Sequence, residues 1–148
     1  MKYFFDTSAF VKFYHEEPGS IVVSNIIMNR DNQILLMELL KLEFSSAIYR
    51  RFRSKEINEL DVESILKMFN EDLELFEVEP FTTEIVNDAD RLLSIYGKEY
   101  GLRTLDALHL ASCYLLADSN LVFVCSDTTL CAVAKHLNIS TINPIYDC

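Results

Sequence analysis

The chain has little conformational punctuation: three Gly and three Pro in 148 residues. Flexible linkers are built from such residues, so their scarcity leaves little room for a hinge between separately folding parts. Long apolar runs are missing too. No stretch approaches the roughly 20 residues that a membrane-crossing helix requires, and the opening residues lack the layout of a secretory leader. The expected address is the cytoplasm, with no membrane partner. Histidines are few and scattered (His15, His109, His136), so an imidazole cluster for zinc is not expected. The four cysteines, Cys113, Cys125, Cys131 and Cys148, show no C-x-x-C spacing. They read as small buried residues of a reducing compartment. What remains is one domain, residues 1–148, long enough to bury roughly two-thirds of its unfolded surface without staples.

A net charge of −10 argues at first against a nucleic-acid partner, but the charge is unevenly placed. Between Glu56 and Asp90 twelve acids face Lys67 alone, which leaves eleven acids and twelve bases for the rest of the chain. Lys41, Arg50, Arg51, Arg53 and Lys55 crowd into one helical segment. They suit either a helix C-terminus or a patch that contacts phosphates. The acidic segment reads as a solvated face.

Hydrophobic spacing alternates between periods of two and 3.6. Strands are expected at 2–6, 33–37, 76–80, 121–125 and 140–142. The intervening helices cover 8–15, 20–30, 38–55, 58–76, a segment capped by Thr82 or Thr83 that ends near Gly97 or Gly101, one from Leu105 to Ala117 capped by Thr104, and 128–137. Ile21, Val22 and Ile26 should face inward, with Val23 and Ile27 as further candidates, as should Leu39, Leu42, Ala47, Ile48 and Phe52 on the third of these helices. Leu121-Val122-Phe123-Val124-Cys125 is the continuous apolar run of a strand buried on both faces. Such alternation implies a parallel sheet covered by helices on both sides.

Four acids occupy places that charge normally avoids. Asp6 ends the first strand, before a helix expected to start on the hydroxyl of Thr7 or Ser8. Asp127 ends the fourth strand in the same way. Glu43 lies beside the apolar stripe of its helix, where Arg50 is one available partner, and Asp106 is in the first turn of the most apolar helix. Each has an ordinary reading as a cap, a turn residue or one half of an ion pair. Together, at the carboxyl edge of a parallel sheet, they suit divalent cations: two Mg²⁺ or Mn²⁺ ions would balance four carboxylates. His109 lies one turn after Asp106 and reads as a packing residue or one that supports the acids from behind. His15 and His136 show no partner. Phe10, Phe13 and Tyr14 read as core, with a groove for a partner helix as the other use.

The residues also resemble a known family. Asp6-Thr7-Ser8-Ala9-Phe10-Val11-Lys12-Phe13-Tyr14, with Glu16-Glu17-Pro18-Gly19-Ser20, is similar to the start of PIN-domain proteins, especially VapC-type toxins. Leu42-Glu43-Phe44-Ser45-Ser46-Ala47, Leu105-Asp106-Ala107-Leu108-His109-Leu110-Ala111 and Ser126-Asp127-Thr128-Thr129-Leu130 resemble the segments that carry the family's other acids. Thr128 departs from the basic residue often found after the last of them.

The resemblance implies a three-layer α/β/α sandwich around a five-stranded parallel sheet, and a metal-dependent endoribonuclease. Asp6, Glu43, Asp106 and Asp127 would hold one or two Mg²⁺ or Mn²⁺ ions, with Thr7, Ser8 and Ser126 supporting them. Lys41, Arg50, Arg51 and Arg53 would touch RNA. The products would carry 5′-phosphate and 3′-hydroxyl ends. A small VapB-type antitoxin is the implied partner, and a homodimer is a further possibility. Three rivals stand beside this reading. A dehalogenase-type phosphotransferase needs an acid where Ser8 stands, and a receiver-type domain needs a lysine where Asn143-Pro144 follows the last strand. The third is a non-catalytic acidic binding module on the same fold.

Overall fold

The computed structural model describes residues 1–146, so the thiol of Cys148 and the last residues of the expected domain lie outside the description. Five strands form one parallel sheet: β1 (Lys2–Phe5), β2 (Gln33–Met37), β3 (Glu77–Glu79), β4 (Leu121–Val124) and β5 (Ser140–Ile142), in the order β3-β2-β1-β4-β5. Among the described residues seven α-helices flank it: α1 (Thr7–Phe10), α2 (Ser20–Met28), α3 (Leu40–Arg53), α4 (Glu59–Asp72), α5 (Thr83–Tyr100), α6 (Thr104–Leu115) and α7 (Thr128–His136). This is the expected three-layer arrangement.

Period-two alternation along the strands builds two separate cores. Phe4, Leu35, Met37, Leu121 and Phe123 pack with α5, α6 and α7 on one face. Phe5, Ile34, Leu36 and Val124 pack with α1 to α4 on the other. The strands step outward from β1 to β3 with α1 to α4 on one side, then return through β4 to β5 with α5 to α7 on the other. A single handedness of crossover requires that division. It makes the gap between β1 and β4 the point where the winding reverses, and ligands bind there in open α/β sheets.

Three expectations about packing are corrected. Ile21, expected inward, is 77% exposed, while Ile26 is buried as expected and Val23 with it. Six of the nine residues of α2 are apolar, so periodicity cannot choose the helix's phase. On α3 the buried stripe is Leu40, Phe44, Ile48 and Arg51, while Leu42 and Phe52 are exposed. Two apolar stripes compete there, and stacking of Phe44 on Phe69 of α4 with ring centroids 4.0 Å apart accompanies the choice of one. Finally, α1 is only four residues long, continued by a single 3-10 turn at Val11–Phe13.

Phe10 lies at the centre of an aromatic cluster with Phe5, Tyr14, Phe44, Phe69 and Phe76. That settles Phe10 and Tyr14 as core, with the Tyr14 hydroxyl donating to Asp72 at 2.9 Å. Cys113, Cys125 and Cys131 are buried. His15 and His136 do have partners: His15 lies 3.8 Å from Glu56, and His136 shares a 2.8 Å hydrogen bond with Tyr100.

Two glycines take left-handed backbone, Gly19 before α2 (φ 95°) and Gly101 after α5 (φ 65°). A side chain at Gly19 would also strike the carbonyl oxygen of Pro144 at 2.7 Å, whereas at Gly101 it would enter open space. Gly101→Ala should therefore cost only backbone strain, about 1 kcal/mol. Gly19→Ala should cost clearly more, roughly 2–3 kcal/mol, because the chain must also move. Urea unfolding of the two variants checks this, and equal losses would refute the contact with Pro144.

Candidate active site

β1 and β4 lie side by side, and the Asp6 N–H donates to the Val124 carbonyl at 2.9 Å. Asp6 and Asp127 therefore emerge next to one another at the winding reversal. Both are helix N-caps. Asp127 accepts from Leu130 N at 2.9 Å, and Asp6 itself, rather than a hydroxyl of Thr7 or Ser8, caps α1 by accepting from Ser8 N at 3.1 Å. The cap reading and the site reading are compatible, because a cap uses one carboxylate oxygen and leaves the other. Asp6 Oδ2 takes both Ser8 donors, N–H and hydroxyl, which leaves Oδ1 turned toward His109 Nε2 at 3.9 Å.

Glu43 reaches the same point from α3. It pairs with His109 Nε2 rather than with Arg50, and its Oε2 also accepts from Thr7 Oγ1 at 3.0 Å. His109 is fully buried on α6, where Ala107 to Cys113 are all buried. Burial alone would lower its pKa, but the hydrogen bond with Glu43 and the charges of Asp6 and Glu43 outweigh that and raise it. Burial pushes the carboxyl of Asp6 upward, partly offset by His109 and Ser8. His109 thus places Nε2 between the two carboxylates of one pair, Asp6 and Glu43. Its Nδ1 is buried and makes no hydrogen bond among the described residues.

Asp106 and Asp127 form the second pair, around a residue that the sequence reading missed. Arg103 donates to Asp106 Oδ2 at 2.7 Å and Oδ1 at 3.3 Å, and to Asp127 Oδ2 at 3.4 Å. It also occupies the N-cap position of α6 that had been assigned to Thr104, which is instead the first helical residue. The signal was present: a base three residues before an acid at a helix start is a standard side-chain pair.

Ser126 enters the network through its backbone, its N–H donating to Ser8 Oγ at 3.1 Å. Its own hydroxyl is buried and makes no hydrogen bond among the described residues.

Asp6, Glu43, Asp106, Asp127, Arg103 and Ser126 line one cleft of about 760 Å³, with His109 behind them. Arg50 and Arg53, exposed on the same helix as Glu43, add positive charge to its lining. Arg51 must be separated from them: it is buried, donating to Glu17 Oε1 from Nε at 3.0 Å and to the Ala47 carbonyl at 3.1 Å. Lys12, also buried, donates to Glu17 Oε2 at 3.0 Å. Burial alone would raise the pKa of Glu17, but the hydrogen bonds from Arg51 and Lys12 prevail and lower it. The ion cluster therefore adds stability above the ordinary glutamate pKa of about 4.3 and loses it as pH falls through the lower folded value. Lys41 does not line the cleft.

As they stand, no three of the described His, Cys, Asp and Glu side chains converge on a point closely enough to hold an ion. Arg103 draws one pair of acids to itself and His109 the other. The chemistry of the donors nonetheless fits a hard divalent cation: four carboxylates share one cleft with two counter-charges, and one of the four is strongly desolvated.

The PIN domain family model matches residues 3–136. The chain belongs to the PIN domain family. Among solved structures this PIN domain is similar to FitAcB from Neisseria gonorrhoeae, with 17% identity, 97% of this chain and 99% of that chain covered, and a TM-score of 0.70. VapBC2 from Rickettsia felis bound to a DNA fragment from its promoter gives 17%, 96%, 98% and 0.65. PAE2754 from Pyrobaculum aerophilum gives 19%, 95%, 89% and 0.61. No curated protein sequence matches the chain. No helix of the described residues is long and apolar enough to cross a membrane.

His109 is the residue on which this geometry tests most directly. His109→Leu keeps the volume roughly constant but strips Glu43 of its buried cation, which should cost about 3 kcal/mol. Glu43→Gln should cost less, because it removes the charge along with its partner's need. Urea midpoints of both variants without metal provide the check, and a silent His109→Leu would show that the pair carries no stability.

Proposed function

We propose that this PIN domain is a metal-dependent endoribonuclease and the toxin of a toxin–antitoxin pair. One observation carries the reading: four carboxylates from four separate segments line a single cleft at the winding reversal, together with exposed arginines. Membership of a nuclease family supports it. So does the fold shared with FitAcB and VapBC2, PIN toxins found with their antitoxins, which suggests a small antitoxin as partner here too.

Asp6, Glu43, Asp106 and Asp127 would hold one or two Mg²⁺ or Mn²⁺ ions. Bound there, the metal supplies a water of lowered pKa for attack on an RNA phosphodiester and neutralises charge on the reacting phosphate. The chain's own residues do the positioning. Ser8 fixes Asp6 through two hydrogen bonds, and Thr7 with His109 fixes Glu43. Arg103 holds Asp106 and Asp127 together and must release them as the ion is bound. Arg50 and Arg53, exposed in the lining of the cleft, would meet the RNA backbone. No side-chain nucleophile is required, and the expected products carry 5′-phosphate and 3′-hydroxyl ends.

Asp6→Asn or Asp106→Asn should abolish Mn²⁺-dependent cleavage of single-stranded RNA while the protein stays folded. Asp6→Asn should also raise the metal-free melting temperature by roughly 3 °C, about 1 kcal/mol for a chain of this size, because a desolvated charge is gone. Full cleavage by either variant would refute the site. A wild-type chain that leaves RNA uncut in Mg²⁺ or Mn²⁺ would point to the non-catalytic binding module instead.

Arg103→Gln supplies a readout independent of turnover. With the competing cation removed, the Mn²⁺ concentration needed for a given rise in melting temperature should fall about threefold, since an exposed ion pair is worth at most about 1 kcal/mol. An unchanged or higher concentration would mean that Arg103 does not compete with metal.

A further inference from the structure

The cleft holds a second charged group whose balance is opposite to that of the acids. Lys12 and Arg51 are 5% and 8% exposed, and both are turned onto the single carboxylate of Glu17. Two buried cations share one anion, so the group carries a surplus positive charge. Its only further compensation in the cleft is the four acids, and once those hold a divalent cation the surplus is left unmatched, which costs several kcal/mol for a charge withdrawn from water. All three residues line the same cleft as Asp6 and Glu43, and Lys12 follows Ser8 by four positions. The surplus therefore faces the space where a substrate of the acids would lie.

Donor capacity separates the roles within the group. Arg51 is occupied, with its guanidinium on Glu17 and the Ala47 carbonyl. Lys12 donates to Glu17, and an ammonium has three protons to give.

We propose that Lys12 contacts a backbone phosphate of the RNA next to the one hydrolysed, with Glu17 and Arg51 as the residues that position it. This rests on the nuclease reading and extends it to a substrate subsite. Glu17 aims the ammonium and Arg51 prevents Glu17 from cancelling it, so with the four acids neutralised by a divalent cation a phosphate entering the cleft matches the remaining positive charge. The subsite also orients the strand, since it lies on the α1 side of the acids while Arg103 marks the α6 side.

The test measures binding apart from cleavage: anisotropy of a fluorescein-labelled single-stranded RNA in EDTA across a salt series, with melting temperature recorded for each protein. Lys12→Gln leaves Arg51 and Glu17 as a neutral pair, so it should fold. It should weaken binding about fivefold and lower the slope of log affinity against log salt by roughly 0.7, the loss of one phosphate contact on a single strand. Glu17→Gln should do the opposite to binding, tightening it severalfold while lowering the melting temperature. Lys12→Arg should restore the wild-type salt slope. A packing role predicts otherwise, with both Gln variants less stable and neither changing affinity or slope, and that result overturns the subsite. Wild-type binding with Lys12→Gln unchanged refutes the subsite alone. A wild-type chain that neither binds nor cleaves RNA refutes the nuclease reading and the subsite with it.

Discussion

Like charges brought to one edge of a parallel sheet repel each other, and the arrangement around that edge answers this repulsion. Asp6 and Asp127 are neighbours because β1 and β4 are neighbours. Glu43 and Asp106 join them because α3 and α6 approach the same edge from opposite layers. The four acids are met by two basic side chains, each spanning a pair: His109 from within the fold and Arg103 from its surface. The two differ in burial, and so in what they can do. A buried imidazole is a fixed part of the structure, whereas an arginine whose side chain is 72% exposed is free to leave. Fixed and removable counter-charges on the two pairs give the site a stable half and an exchangeable half.

Much of this was legible in the residues. Strand existence followed from short apolar runs, the helix after β3 from the Thr82 cap, and the burial of α6 from its all-round apolar sequence. The candidate acids stood out because charge beside an apolar stripe needs compensation. Phase and pairing were less legible. Ile21 and Leu42 show how a helix rich in apolar residues leaves its inward face undecided until a neighbour such as Phe69 is in place. Arg51 shows the same limit for charge. Beside Arg50 and Arg53 it looked like part of a surface patch, yet helical rotation turns it inward, onto a glutamate 34 positions earlier. Long-range pairs of this kind have no local signature. Strand order was undetermined for the same reason, although the winding reversal it creates explains why Asp6 and Asp127 meet.

The two carboxylate caps show why an ordinary structural role and a site role coincide. An N-cap must present an oxygen to the first free N–H groups of its helix, which places a carboxylate at the carboxyl end of the preceding strand. In a parallel sheet that is the ligand-binding edge. The cap therefore holds one oxygen of Asp6 or Asp127 rigid while the other addresses the cleft, and the local bond supplies the orientation that an ion needs from its ligands.

The global charge, finally, misleads about partners because its acids are in the wrong place to matter. The run from Glu56 to Asp90, which carries the chain's negative excess, contributes no residue to the cleft lining, whereas α3 contributes Arg50, Arg51 and Arg53. At physiological ionic strength charges are screened over about 8 Å. A polyanion in the cleft would therefore respond to the bases around it and to whatever neutralises the four acids, far more than to the distant acidic face. That face acts only on what comes within the same screening length of it. Net charge and the local field are thus separate quantities, and it is the local field that the cleft's own arginines and lysine set.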